Sequence, residues 1–470
     1  MPQFPFLGGS YPARSRNLDC QRAINLYPEV SQSGTSKTPG MLIGSPGLRR
    51  FLIVGAGPIR GLYRSSVGPL LVASGQELYR VGLDFSVTLI GAISGYGQVS
   101  MADNGKSAMV VCGTAAYFVE FEDWSITQAD AGIFTGGDRV AFLDGRFVWN
   151  MTGTGQFMWT GLYSTDLDAL NYATAEGSPD ALVSLLVDHR ELWLFGATTT
   201  EVWFPTGDAD LPMARIEGAF IEHGCAAPHS AAKLDNTVFW LGADDRGQGV
   251  IWRANGYTPQ RISTHAVEYA LERLPRIDDA IAYTYQQEGH SFYVLTFPTA
   301  SVTWVYDVAT ELWHERAWRQ PGSGKLMRHR SNCQAAFAGL VVVGDFEDGR
   351  LYALDLNHYT DDEDLIPRIR VAPHLSDNSE LTTMAELRVD FETGVGLVHG
   401  QGSEPRAMLE VSKDYGHAWG NERWVPLGKL GERRARAVWR RLGQARDWVF
   451  RVTVTDPVPV RIIGASVLPG

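Results

Sequence analysis

Cysteine is scarce in this chain. Its four residues, Cys20, Cys112, Cys225 and Cys333, stand far apart and form no C-x-x-C pair. That spacing argues against a disulfide scaffold and a structural zinc site, and leaves reduced, buried thiols as the expectation. Long hydrophobic runs are missing too. Stretches such as Leu182–Val187 and Phe51–Val54 fall far short of the roughly 18 residues a membrane span requires, so no membrane insertion is expected. The start, Met1-Pro2-Gln3-Phe4-Pro5, lacks the basic and apolar regions of a signal peptide, and synthesis in a cytoplasm is expected. Helical periodicity is nearly absent, with His265–Leu274 as the one short helix expected, placing Ala266, Tyr269, Ala270 and Leu274 on one face. Positive charge is in deficit, 41 Lys+Arg against 53 Asp+Glu. The deficit lies in residues 1–400, with 29 against 46, while residues 401–470 hold 12 against 7. A body this acidic excludes tight duplex binding, which needs phosphate neutralisation.

What is present is a large, turn-rich β chain. At 470 residues and 51.7 kDa, it exceeds the roughly 250–300 residues at which one core stops growing, so at least two domains are expected. Apolar residues at 44% exclude wholesale disorder. Fifty glycines and 23 prolines suit many tight turns.

A unit recurs through the middle of the chain. An apolar strand, a turn and a second strand carrying Tyr or Trp repeat from Leu70-Leu71-Val72-Ala73 to Leu340–Val343. First strands begin at 70, 108, 147, 192, 238, 292 and 340, about 45 residues apart. Most copies have a further strand upstream, such as Ile59–Tyr63 or Ala280–Tyr285. This period and strand count predict a β-propeller of about seven blades, or six if one unit is shared or degenerate. A four-stranded sheet cannot bury both faces alone; stacking blades in a ring buries them. The competing reading is an all-β sandwich with chance periodicity.

The register stops after Leu354, and His358–Asp364 reads as a solvated acidic linker. Strand patterns at Glu386–Phe391, Ala407–Val411, Trp448–Thr455 and Val460–Val467 predict a separate C-terminal β-sandwich-like domain. The expected division is therefore 1–50, a loop-like segment packing on the C-terminal domain or on a neighbouring subunit; 51–357, the propeller; and 365–470, the second β domain.

Few motifs carry chemistry. Gly55-Ala56-Gly57-Pro58-Ile59-Arg60-Gly61 is not followed by the helix a dinucleotide loop needs, and Gly322-Ser323-Gly324-Lys325 lacks the frame of a P-loop. Asp361–Asp364 lacks the order of a calcium loop. His223, Cys225 and His229 supply only three possible ligands on a loop. No catalytic residue, cofactor site or metal site is expected. Ser412-Lys413-Asp414-Tyr415-Gly416-His417-Ala418-Trp419 resembles the Asp-box turn of sialidases and other propellers, with Ala418 in place of Thr. There Asp414 is expected to accept backbone N–H groups, Gly416 to supply positive φ and Trp419 to anchor the turn in the core. A sialidase-like hydrolase or glycan-binding propeller is the alternative function.

The C-terminal cations form a cluster: Arg433, Arg434, Arg436, Arg440, Arg441, Arg446 and Arg451, interleaved with Trp439, Trp448 and Phe450. Arginine with aromatics suits a protein interface. Arg433, Arg434, Arg436, Trp439, Arg440, Arg441 and Arg446 are the expected docking residues. Solvated strand faces and a nucleic-acid surface are the competing readings.

Taken in order, several segments are similar to one family. These are Ile24-Asn25-Leu26-Tyr27-Pro28, Ser45-Pro46-Gly47-Leu48, Arg60-Gly61-Leu62-Tyr63, Val99-Ser100-Met101-Ala102 and Arg139–Arg146. Ala175-Glu176-Gly177-Ser178-Pro179-Asp180, Leu192–Gly196 with Thr200-Glu201-Val202-Trp203, Glu392–Gly396 and Val438–Gly443 continue the series. The chain resembles the packaged-DNA stabilization, or tail nozzle, proteins of short-tailed phages. The resemblance implies a non-enzymatic virion protein, made in the bacterial host cytoplasm and located in the virion tail. It implies a homo-oligomeric ring, typically hexameric, below the portal and adaptor. That ring would close the filled head, pass DNA through its lumen without specific binding, and dock tailspikes, fibres or a tail needle.

Overall fold

The computed structural model describes residues 3–208, 211–244 and 246–470. Met1 and Pro2, part of the N-terminal reading above, lie outside the described residues. The described residues form an all-β molecule with one helix, His265–Glu272.

Six consecutive antiparallel meanders each supply four strands, running from Ile59–Arg64 through Val87–Ala92, Ser100–Asp103 through Ile126–Gln128, Val140–Leu143 through Tyr172–Thr174, Leu182–Asp188 through Met213–Ile221, Ala232–Leu234 through Thr258–Arg261, and Ile281–Gln287 through Leu312–Arg319. These are blades I to VI. Blade VII has only three strands of its own, Ser331–Phe337, Leu340–Asp345 and Arg350–Asp355. Its fourth is Gly47–Ile53, antiparallel to Arg350–Asp355 with Leu48 opposite Leu354. An early strand thus completes the last blade and closes a ring of seven. The boundary expected at residue 50 falls inside this closing strand, and the expected loop-like character of residues 1–50 is corrected by five strands between Tyr11 and Ile53.

The seven-bladed ring follows from where the apolar strand residues go. Seven buried clusters sit between neighbouring blades. Met109 and Phe118 of blade II meet Phe147 and Trp149 of blade III. Trp193 and Phe195 of blade IV meet Trp240 of blade V, and Val72 and Val81 of blade I meet Val342 and Leu351 of blade VII. Both faces of each inner strand are therefore apolar, as a strand buried on both sides requires.

The helix precedes blade VI. Thr264 caps it by accepting the N–H of Val267 at 3.3 Å. Its buried face is Ala266, Val267 and Leu271 rather than the stripe through Tyr269 and Ala270. Tyr269 instead lies between the guanidinium groups of Arg14 and Arg273, whose stems and charges keep that face half-covered.

The second unit is a sandwich of two sheets. One runs in the order Leu26–Val30, Gly40–Gly44, Arg461–Pro469, Thr382–Phe391, Ala437–Ala445. The other runs Cys20–Ile24, Arg368–Val371, Val449–Val454, Arg406–Ser412, Arg423–Pro426. Each takes strands from the N-terminal segment. Phe4, Phe6, Leu26 and Leu42 share one core with Trp439, Trp448 and Phe450.

Both sheets start at blade VI. Cys20–Ile24 pairs in parallel with its outermost strand through Ile24 and Glu315, and Tyr27 packs edge-on against His290 and Phe292 at 5.1 and 5.3 Å. Buried Asn25 locks the joint. Its side chain donates to the carbonyls of Ala317 (2.7 Å) and Pro367 (2.9 Å) and accepts the N–H of Ala317 (3.0 Å).

The expected acidic linker is also corrected. Asp361 is 2% exposed, Asp362 pairs with Arg50 and Arg350, and Asp364 accepts the indole N–H of Trp318 at 2.7 Å. Of the four, Glu363 faces solvent. The arginines of the closing strand and of blade VII hold the Asp362 carboxylate at this joint.

Candidate interaction surfaces

The arginine cluster divides into three environments. Trp439 is corrected first: it is 2% exposed, and its indole N–H donates to the carbonyl of Arg423 at 2.7 Å. It alternates inward on Ala437–Ala445, so it is core and not docking surface. Trp448 and Phe450 are core as well. Arg440 and Arg446 are exposed but engaged. Arg440 contacts Glu386 at 3.0 Å and Arg446 donates to the carbonyl of Ser379 at 2.8 Å. Arg433, Arg434, Arg436 and Arg441 are exposed and have no carboxylate partner among the described residues. Arg441 sits at a bulge with φ of 59°, where two residues face Ala385.

Apolar surface accompanies these cations. Two loops, 394–402 and 427–436, are tied by the N–H of Gly431 donating to the carbonyl of Gly394 at 3.0 Å. They leave Val398 77% exposed, with Leu430 and Leu397 also open to solvent. Sequence reasoning missed this patch. Its signal was apolar residues in a Gly-rich stretch, Gly394-Val395-Gly396-Leu397-Val398, that alternates with no partner strand.

A second patch was also missed. The loop 160–171, leading to the outermost strand of blade III, exposes Leu162, Tyr163 and Leu170, the last at 81%. Between them stand Asp166, whose carboxylate accepts from the Ser164 hydroxyl, and Asp168, whose carboxylate accepts the N–H of Leu170. Blades II to IV as a whole, residues 100–222, carry 5 Lys+Arg against 18 Asp+Glu.

The Asp-box-like turn is built as expected at three of its four positions. Ser412 donates to Asp414 at 2.7 Å and accepts the N–H of Gly416 at 2.8 Å. Asp414 accepts the N–H of Ala418 at 2.9 Å, which holds its carboxyl below the usual range. Gly416 has φ of 82°. Trp419 departs from expectation. It is half-buried under the guanidinium of Arg451, 4.3 Å away, at the wall of a cavity of about 560 Å³ between sandwich and propeller. A side chain at Gly416 would combine a disfavoured φ with a Cβ 2.9 Å from the Cys20 sulfur. Gly416→Ala is therefore expected to cost about 1–2 kcal/mol, and Asp414→Ala to destabilise in the same direction through its lost acceptors. Chemical denaturation monitored by tryptophan fluorescence measures both.

The cavity's polar wall is occupied by itself. Arg22 forms a two-pronged pair with Glu315, Arg451 pairs with Glu410, and Arg16 donates to the carbonyl of Gly416 at 3.2 Å. His374, nearby, donates from both ring nitrogens, to Asp447 and to the carbonyl of Arg16, each at 2.7 Å. Its contacts with Cys20 and Asp447 push it up to about 9. Arg16 thus fastens the N-terminal segment to the sandwich, and Arg22 fastens it to blade VI. The segments Ala175–Asp180 and Thr200–Trp203 likewise latch together. Glu201 accepts the N–H of Gly177 (2.6 Å) and the indole N–H of Trp203 (2.9 Å), and Asp180 accepts from Thr198 and Thr199. His223 and His229, weighed above as metal ligands, are a ring stacked on Trp252 at 4.0 Å and a half-buried imidazole pushed down to about 3 chiefly by desolvation.

Comparison with known proteins gives the same two-part division. Residues 2–359 match the family model described as bacteriophage P22 Gp10, beta-propeller, and residues 367–468 the one described as bacteriophage P22 Gp10, beta-sandwich. No curated protein matches the chain. Among solved structures, the N-terminal domain of Nup159 is 12% identical, covers 70% of this chain and 98% of its own, and has a TM-score of 0.41. A chain of the mitotic checkpoint complex is 13% identical, covers 70% and 96%, and scores 0.44. The computationally designed Ika8 protein is 12% identical, covers 65% and 99%, and scores 0.36.

Proposed function

Because the chain belongs to the bacteriophage P22 Gp10 family of phage stabilisation proteins, which are virion components, we propose that it is a non-enzymatic tail nozzle and head-closure factor. Copies assemble as a ring, hexameric in this reading, below the portal and adaptor. The ring retains packaged DNA, lengthens the ejection channel and offers docking sites to tailspikes, fibres or a needle. No cofactor takes part.

The observation that carries the reading is the family match over both units of the chain. Charge supports it. A body with 46 Asp+Glu against 29 Lys+Arg over residues 1–400 repels phosphate, so a genome passes without sticking. The free arginines of the sandwich are the docking groups, for the adaptor ring or a neighbouring copy.

Phage particles made without this chain are the test. They are expected to package DNA and then lose it, so that nuclease-resistant genome per head falls to a small fraction of that in complemented particles. Heads that keep their DNA and infect normally would overturn the reading.

A further inference from the structure

The two charged, partly apolar patches lie on different units of the protomer, one on the sandwich and one on blade III of the propeller. Both sandwich sheets begin at blade VI and run outward from it. The loop bearing Arg433, Arg434 and Arg436 leads into Ala437–Ala445, the last strand of its sheet, and Arg423–Pro426 is the last of the other. Four inter-strand steps put the arginine strand roughly 19 Å beyond the strand nearest blade VI. On the other side, blade III is three places from blade VI one way round the ring of seven and four the other, so it lies across the wheel.

The patches are complementary in kind. Arg433, Arg434 and Arg436 stand beside Leu430 and Val398, all exposed. Asp166 and Asp168 stand among Leu162, Tyr163 and Leu170. Neither set has an ion-pair partner within the chain among the described residues. Arginine, aromatic and aliphatic side chains around unpaired charge are the composition of an interface core with a charged rim. Within one protomer the two patches make no ion pair with each other among the described residues, which leaves each free to meet its complement on another copy.

The geometry points to a head-to-tail contact between copies of this chain: the arginine end of the sandwich of one copy on the blade III loop of the next. The inference rests on the ring reading above and deepens it by naming the two faces. Such a contact uses two different surfaces, leaves one of each free on every dimer, and so propagates until it closes. Opposite charges at the two ends align incoming copies and reject the reversed orientation.

Two charge-reversed proteins test it. Arg433→Glu with Arg434→Glu and Arg436→Glu makes both ends acidic. Asp166→Lys with Asp168→Lys makes both ends basic. Sedimentation velocity in low salt is expected to show concentration-dependent assembly of the unaltered chain, reversed by added salt. Each altered protein alone should stay monomeric, and an equimolar mixture should assemble again. All five substitutions are at exposed positions, so melting temperatures should match the parent. A milder pair, Arg433→Gln with Arg434→Gln, should weaken assembly without abolishing it. Altered proteins that assemble like the parent, a mixture that stays monomeric while both components melt normally, or a parent that never assembles in low salt would each overturn the contact. Recovery of the tagged parent chain from purified particles reports on the virion reading separately. A chain found in particles whose assembly ignores both reversals keeps that reading and removes this one.

Discussion

Deleting residues 1–44 is expected to unfold the sandwich and spare the propeller, whereas deleting residues 1–54 is expected to unfold both. The first deletion removes Leu26–Val30 and Gly40–Gly44 from one sheet and Cys20–Ile24 from the other. It also takes Phe4, Phe6, Leu26 and Leu42 out of the sandwich core. Each large apolar side chain lost from a core costs about 2–5 kcal/mol, so the four together are comparable to the roughly 5–15 kcal/mol that holds a domain folded, before the loss of three strands is added. The longer deletion also removes Gly47–Ile53. Blade VII then has three strands, Arg350–Asp355 presents an unpaired edge, and buried Leu48 no longer packs on Tyr352 and Tyr285. An open propeller has lost the pairing that joins its first and last blades, and its terminal sheets fray. Limited proteolysis followed by mass spectrometry distinguishes the outcomes. The shorter deletion should leave a protected fragment from about residue 46 to the end of blade VII, and the longer one should leave none. A C-terminal domain that stays protected after the shorter deletion would show that the N-terminal strands are ornament.

That prediction marks where the sequence was legible and where it was not. The blades were legible because each strand pair is local. Leu70–Ser74 and Glu77–Val81 face each other across a two-residue turn, and the same grammar recurs to Leu340–Asp345 and Arg350–Asp355. The closing strand was not. Gly47–Ile53 pairs with residues some 300 positions away, and its exposed Arg49 and Arg50 hide an alternation that only the partner strand explains. The N-terminal strands failed for the same reason. Cys20–Ile24 and Leu26–Val30 are five residues each, contain a proline between them, and reach their partners only in the sandwich. Charge was legible in total and not in direction. The arginine count did not separate Arg440, which reaches Glu386, from Arg433, which reaches no carboxylate among the described residues. Nor did it show Trp439 turning inward, since an edge strand with a bulge does not keep a simple alternation. The resemblance segments proved to be joints rather than a site. Asn25 fastens the sandwich to blade VI, and Glu201 latches a loop to its blade.

The joint between propeller and sandwich also makes stability depend on pH in an unusual direction. Asp361 lies between the closing strand, where it pairs with Leu48, and the first sandwich strand, Arg368–Val371. It is buried, and its Oδ1 meets no partner among the described residues. Burial pushes its carboxyl up to about 7, against the pull of Arg368, Arg330 and Arg316, with Asp364 adding a small push in the same direction. Desolvation outweighs three arginines because none of them makes an ion pair with it: Arg330 is committed to Asp345 at 2.7 Å, and Arg316 to Tyr285. A carboxyl whose folded value lies above its unfolded one holds its proton more tightly in the native state. Its contribution to stability is therefore complete below about pH 4 and is lost as pH rises through about 7. Three pK units correspond to about 4 kcal/mol at most, and water entering the site reduces that. Asp361→Asn keeps the shape of the neutral acid and cannot ionise. The variant is expected to match the parent near pH 4 and to exceed its stability by a few kcal/mol at pH 8. Urea denaturation of both proteins across that range isolates the effect, because every other titrating group is common to the two curves. A variant less stable than the parent at pH 8 would mean that ionised Asp361 is a working counterion to Arg368, and that the joint is held by charge and not in spite of it.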